Sequence, residues 1–178
     1  MTSTNLHTAY IALGSNLDSR VGSPYETIHA AFHALSEIGE VTAQSSLYET
    51  APVGLVQQPP FINAVAALQT SAAPEKLLEK MLALELSFGR DRQYGAPKGP
   101  RTLDLDLLLL DDLIVNTPTL TLPHPALAER RFVLAPLAEV APELMHPALR
   151  RTIRDLLRDL PNTGTNSSDA VRIVTPHP

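Results

Sequence analysis

The chain has 178 residues, with 14 Lys and Arg against 19 Asp and Glu, a formal net charge of -5 and 44% hydrophobic residues, the size and apolar content of one domain with a sizeable core. It has no Cys, no Trp and only 4% aromatics, which excludes disulfides, thiolate metal sites and a Cys nucleophile, and denies it the basic stripe and stacking platform of a nucleic-acid binder. Met1 to Thr8 has no leader-like pattern and no apolar run is long enough to span a bilayer, so the expectation is a cytoplasmic protein with no membrane partner.

Thr8 to Leu13 reads as a first strand, ended by the turn composition Gly14-Ser15-Asn16. Ser23-Pro24-Tyr25-Glu26 is a capping box with Pro at the first helical position, and Ile28, Ala31, Phe32 and Leu35 then form an apolar stripe that Gly39 ends. Val41 to Glu49 and Phe61 to Gln69 read as strands on either side of a Pro-rich loop. Pro74-Glu75 opens a second helix with the stripe Leu77, Leu78, Met81, Leu84 and Phe88, and Gly89 lies just past its end. A loop from Arg90 to Pro100 leads into the strand that begins near Asp104. The order βαββαβ is the ferredoxin-like arrangement, α+β, with an antiparallel sheet and helices packed on one side. Extra C-terminal helices follow over Ala126–Arg130, Val133–Val140 and Thr152–Leu160, after irregular or edge-strand structure over Ile114–Thr121. Residues 1–161 are expected to form a single domain. Residues 162–178, rich in Asn, Thr, Ser, Gly and Pro, are expected to be a flexible tail whose Val171–Val174 could add to a sheet edge.

The most informative stretch is Gly99-Pro100-Arg101-Thr102-Leu103-Asp104-Leu105-Asp106, running into Leu107-Leu108-Leu109-Leu110. Aspartate is depleted in strands, and strand alternation places Asp104 and Asp106 on one face with Leu103, Leu105 and Leu107 on the other. Two carboxylates on one rigid edge suit Mg²⁺, which keeps waters and takes its remaining oxygens from substrate phosphates. An isolated D-x-D is more simply two solvated residues at a strand mouth. Here four of the 14 cations, Arg90, Arg92, Lys98 and Arg101, fall within twelve residues just upstream. Guanidinium forks and carboxylate-held Mg²⁺ together point to polyphosphate chemistry, against the plainer reading of an Arg/Asp ion-pair network.

Other candidates carry two readings each. Glu85 lies about 40° around the helix from Met81, placed either for an ion pair with a nearby Arg or for a nucleotide or metal contact. Phe61 and Asn63 share a strand face, where an amide and a ring could hold a flat heterocycle, although Phe on a strand usually serves the core. His124, between Pro123 and Pro125, is displayed on a loop, and Arg130-Arg131-Phe132 adds two cations and an aromatic ring. The Gly14 turn lacks the Gly-Lys-Ser/Thr of a P-loop.

Tyr10–Leu17, the Pro-rich loop with Phe61-Ile62-Asn63-Ala64, Glu85 with Gly89-Arg90-Asp91-Arg92, Gly99–Asp106, Leu122-Pro123-His124-Pro125 and Pro136–Pro142 together resemble the 6-hydroxymethyl-7,8-dihydropterin pyrophosphokinases of folate biosynthesis, in order, over roughly Tyr10 to Pro161. The resemblance implies transfer of the β,γ-pyrophosphoryl group of ATP to the pterin's hydroxymethyl oxygen, with release of AMP. It implies Asp104 and Asp106 as ligands of two Mg²⁺ ions, and Arg90, Arg92, Arg101, Asp104 and Asp106 as the catalytic set. Glu85, Leu107 through its backbone, Thr121, His124 and Arg130 would contact ATP. Thr50, Pro52, Val53, Phe61, Asn63 and Phe132 would form the pterin pocket, in a protein expected to be a monomer with no nucleic-acid partner. Lys98 stands where the family usually has Trp, and Phe61 where Tyr is frequent. A kinase transferring only the γ-phosphoryl group, and a non-enzymatic ferredoxin-like module, are the rival readings.

Overall fold

A computed structural model describes residues 5–51, 57–90, 99–161 and 171–174. Its core is β1 (His7–Ser15), α1 (Pro24–Leu35), β2 (Glu40–Gln44), β3 (Leu47–Thr50), β4 (Phe61–Thr70), α2 (Pro74–Ser87) and β5 (Asp104–Leu110). The strands pair antiparallel in the order β3-β4-β1-β5, with β2 also on β4, the strand order of the split-βαβ arrangement.

The expected capping box forms: Ser23 N–H donates to Glu26 Oε2 at 2.7 Å, and Ser23 Oγ accepts from Glu26 N–H. Ile28, Ala31, Phe32 and Leu35 of α1 and Leu77, Met81 and Leu84 of α2 bury against Ile11, Leu13, Leu105 and Leu107. Gly89, at φ 88°, ends the second helix in a conformation that favours glycine.

Two expectations change. The first strand does not stop at Gly14 but runs through Ser15, because its last residues pair on both sides, Gly14 with Asn63 and with Asp104. The strand expected over Val41–Glu49 divides at Ser45-Ser46 into β2 and β3. Ser45 spans the break: its N–H donates to the Val65 carbonyl and its Oγ accepts from Val65 N–H, both at 2.9 Å. The two helices of the βαββαβ order pack on one side as expected, and the C-terminal elements take the other. After the hairpin β6 (Val115–Asn116) and β7 (Thr121–Leu122) and a 3-10 turn at Leu127–Glu129 comes α3 (Arg131–Val140). The hairpin β8 (Met145–His146) and β9 (Arg151–Thr152) precedes α4 (Ile153–Asp159). Val133, Leu134, Leu137, Ile153 and Leu156 of these helices bury against Val65, Leu108 and Leu109, a second core on the opposite sheet face. This explains the apolar run Ala64-Val65-Ala66-Ala67-Leu68 of β4, whose strand is covered on both faces.

A last strand, β10 (Val171–Val174), pairs antiparallel with the outer edge of β3. The remainder of the segment expected to be a tail lies outside the described residues. Among the described residues no helix is long and apolar enough to cross a membrane.

His146 is 6% exposed, and its Nδ1 accepts from Leu149 N–H at 3.1 Å. Burial holds its pKa below the ordinary histidine value. The unfolded chain therefore takes up a proton more readily than the folded one, so this contribution to stability is full above about pH 6.5 and is lost as the pH falls below it. Thermal melts of the parent and of His146→Asn, which keeps an acceptor near Nδ1, should diverge: the parent loses more melting temperature between neutral and mildly acidic pH. Equal acid sensitivity in the two proteins would remove the argument.

Candidate active site

Strand register decides which side chains meet. Gly14 lies between Asn63 of β4 and Asp104 of β5, and Ala12 lies opposite Asp106. A Cβ on Gly14 would come within 3.2 Å of Asn63 Oδ1, so small residues on the central strand leave room for the amide on one side and the acids on the other. The result is a cavity of about 400 Å³, whose lining includes Thr50, Phe61 and Asn63, then Arg90, Arg101, Asp104 and Asp106, and then His124, Arg130 and Phe132. Ten of the sequence-derived site residues thus share one cavity. Arg92, Pro52 and Val53, together with Lys98, lie outside the described residues.

Alternation on β5 is as expected: Leu105 and Leu107 are buried in the first core while Asp104 and Asp106 face the cavity. Asp104 accepts from two guanidinium groups, Arg90 Nη1 at Oδ1 and Arg101 Nη1 at Oδ2, the latter at 2.9 Å. Arg90 Nη1 also donates to the Leu103 carbonyl and to Glu85 Oε1, each at 3.1 Å. The ion-pair network weighed as an alternative is therefore present, built from the same side chains as the phosphate-recognition reading.

Burial, followed by the negative charge of Asp104, raises the pKa of the Asp106 carboxyl, while His124 and Arg130 oppose the shift. Such a group calls for a cation. His124 N–H donates to the Leu108 carbonyl at 2.9 Å, and its Nδ1 accepts from Ala126 N–H at 3.2 Å, which leaves Nε2 to carry the proton of the neutral ring.

The aromatic side is equally ordered. The Arg101 guanidinium lies 5.1 Å from the Phe61 ring centre and that of Arg130 lies 5.7 Å from Phe132, cation–π contacts that orient both cations. Asn63 Nδ2 donates to Thr50 Oγ1 at 2.7 Å, which fixes the amide and leaves its oxygen available to a ring N–H.

Three residues named by resemblance do not line the cavity. Glu85, 2% exposed, accepts from Leu105 N–H at 2.7 Å and pairs with Arg90. It thus anchors the base of the acidic strand, in keeping with the ion-pair reading of its place on the helix. The Leu107 side chain belongs to the first core and Thr121 to β7.

Asn16, which the sequence presents only as a turn residue, has a task at the site. Its Oδ1 accepts from Arg101 N–H at 2.8 Å, and its Nδ2 donates to Gln58 Oε1 and the Pro59 carbonyl, each at 3.0 Å. One buried amide so joins the segments carrying Phe61 and Arg101. Glu129 and Val133 also line the cavity unforeseen, since nothing local in their segment marks them. Among the described residues no group of three or more His, Cys, Asp or Glu is placed to hold a metal ion. Asp104 and Asp106 supply two carboxylates, which is the donor set of a cation that completes its shell with water and phosphate oxygens.

A family model described as 7,8-dihydro-6-hydroxymethylpterin-pyrophosphokinase (HPPK) matches residues 10–142. The chain is 44% identical over 157 residues to the 2-amino-4-hydroxy-6-hydroxymethyldihydropteridine pyrophosphokinase of Pseudomonas aeruginosa, covering 87% of this chain and 93% of the relative. It is 42% identical to the Haemophilus influenzae protein of the same name, over 79% of this chain and 85% of that one. Against the folic acid synthesis protein fol1 of Schizosaccharomyces pombe it is 37% identical over 91% of its own length and spans 22% of the longer protein. A crystal structure of a triple mutant of Plasmodium falciparum HPPK-DHPS with SDX-DHP superposes with a TM-score of 0.70 at 17% identity, over 88% of this chain and 44% of that one. That likeness supports the α+β, ferredoxin-like fold.

Proposed function

The chain belongs to the 7,8-dihydro-6-hydroxymethylpterin-pyrophosphokinase family, and from that footing we propose how its residues divide the work. It is a pyrophosphokinase of folate biosynthesis that acts on 6-hydroxymethyl-7,8-dihydropterin. ATP is the donor in this reading: the hydroxymethyl oxygen attacks the β-phosphorus and gives up its proton to water, the bond from that phosphorus to the α,β-bridging oxygen breaks, and AMP leaves. The substrate brings its own nucleophile. The protein therefore needs only alignment and charge neutralisation, which agrees with the absence of cysteine.

The observation that carries the proposal is the joining, in one cavity, of an acid pair, a set of guanidinium groups and an aromatic and amide pocket. Asp104 and Asp106 would hold Mg²⁺, two ions by family resemblance, which when bound neutralises phosphate charge and polarises the attacked phosphorus. Arg90 and Arg101 stand beside those carboxylates to stabilise charge on the transferring group, and Arg92 belongs to the same set. Arg101 Nε is buried without a hydrogen-bond partner among the described residues, donor capacity that suits an anionic ligand. Phe61 and Phe132 would stack on the pterin while Asn63, steadied by Thr50, reads its edge. Pro52 and Val53 complete that pocket by resemblance.

His124 and Arg130 would contact the nucleotide's phosphates; Glu85, Leu107 and Thr121 remain nucleotide contacts by resemblance alone. The reading includes a cytoplasmic monomer in which residues 1–161 form the single catalytic domain and 162–178 a C-terminal tail, of which Val171–Val174 adds to the sheet edge at β3. Product analysis tests it directly. Incubation with ATP, Mg²⁺ and the pterin should yield AMP and the pterin diphosphate. ADP as the nucleotide product would instead identify a γ-phosphoryl kinase and overturn the assignment.

A further inference from the structure

Glu139 lies in the segment Pro136–Pro142, which the catalytic reading leaves without a task. Its carboxylate bridges two elements: Oε1 and Oε2 each accept from Ser46 N–H at 3.0 Å, Oε1 accepts from Ser46 Oγ at 2.8 Å, and Oε2 accepts from Tyr48 Oη at 2.8 Å. These contacts fasten α3 to β3. Each element also supplies a wall of the cavity, α3 through Phe132 and Val133 and β3 through Thr50.

The spacing makes the bridge a ruler. Phe132 and Glu139 are seven residues apart, two helical turns, and so share a face of α3. Ser46, Tyr48 and Thr50 alternate onto one face of the strand segment. One end of the helix face therefore meets the cavity and the other meets Glu139's partners. Tyr48 is the register partner of Asn63, the residue whose amide donates to Thr50. Pro136, inside α3, lacks the N–H that would bond the Phe132 carbonyl, so the helix holds its first turn less firmly than an unbroken ladder would. Burial and the Glu139 hydrogen bond also push the Tyr48 hydroxyl well above its ordinary pKa, so it stays a donor at any physiological pH.

We propose that Glu139 is a positioning residue for the pterin subsite: by fastening α3 to β3 it sets the spacing between Phe132, on which the ring would stack, and the Thr50–Asn63 pair that would read its edge. The inference rests on the catalytic reading above. It assigns Glu139 no contact with either substrate and no part in the chemistry.

The test is steady-state kinetics on Glu139→Ala and on Tyr48→Phe, which removes one arm of the bridge and keeps the ring. KM for 6-hydroxymethyl-7,8-dihydropterin should rise about tenfold in Glu139→Ala and by about threefold in Tyr48→Phe, the scale of a lost charged or single hydrogen bond. KM for ATP and kcat should stay within about twofold of the parent. A parent protein that makes no pterin diphosphate would defeat the catalytic reading itself. With an active parent, unchanged pterin KM in both variants, or equal rises in both KM values alongside a lower melting temperature, would reduce Glu139 to a stabilising contact and overturn the proposal.

Discussion

Asp104→Asn and Asp106→Asn should both cut turnover by about a thousandfold or more, since each removes one of two carboxylates available to a divalent cation. Their effects on stability should be opposite in sign. Asp106 is held protonation-prone by burial and by its like-charged neighbour, so a neutral isostere removes an unfavourable charge. Melting in EDTA should show Asp106→Asn raised by about 2–4 °C, the shift expected for about 1 kcal/mol in a domain of this size. Asp104 is the acceptor shared by Arg90 and Arg101. Its amide leaves two partly buried guanidinium groups without that counter-charge, and the melting point should fall. An inactive yet stabilised Asp106→Asn is the pattern of a residue kept for chemistry at the expense of the fold. Near-parental turnover in both variants would end the metal hypothesis, and a destabilised Asp106→Asn would refute the electrostatic account.

The second large effect is expected at Arg90. Its guanidinium joins Glu85, 2% exposed, to Asp104 and to the Leu103 carbonyl. Arg90→Met keeps most of the apolar stem and removes the charge, which strips Glu85 of a partner in a site where it cannot recover water. Breaking such a pair costs about 3–5 kcal/mol, and for this chain length that lowers the melting temperature by about 6–20 °C. Turnover should fall as well, because the cation also faces the cavity. The double variant Arg90→Met, Glu85→Gln should regain much of the stability but none of the rate, which separates the structural task of Arg90 from its chemical one. If the single variant melts with the parent, Glu85 is satisfied by its other contacts and the base of the acidic strand does not depend on this pair.

Much of the chain was legible without coordinates because the signals are local. Period-2 alternation placed Asp104 and Asp106 on one face and Leu105 and Leu107 on the other, and the structure keeps that division. Ser23 and Glu26 announced the first helix through a cap that needs only four residues, and Gly89 marked the end of the second. The density of charge near Asp104 is a local signal too, one that suggests a phosphate ligand. The two readings of Glu85 could not be separated from its helical position, since the Arg that engages it lies on a loop whose path no periodicity reports.

The residues thus determined by themselves most of the elements and the faces they present, the cavity face of Asp104 and Asp106 included. Tertiary structure alone decided that Asn63 and Asp104 flank the same glycine, that Asn16 joins the loops bearing Phe61 and Arg101, and that α3 and α4 close the second face of the sheet. The reason lies in strand register. A one-residue slip of β4 or β5 against β1 would turn every side chain to the other face, and only the packing of two apolar layers on the central strands excludes it. That packing joins residues dozens of positions apart, where no local pattern in the chain can record it.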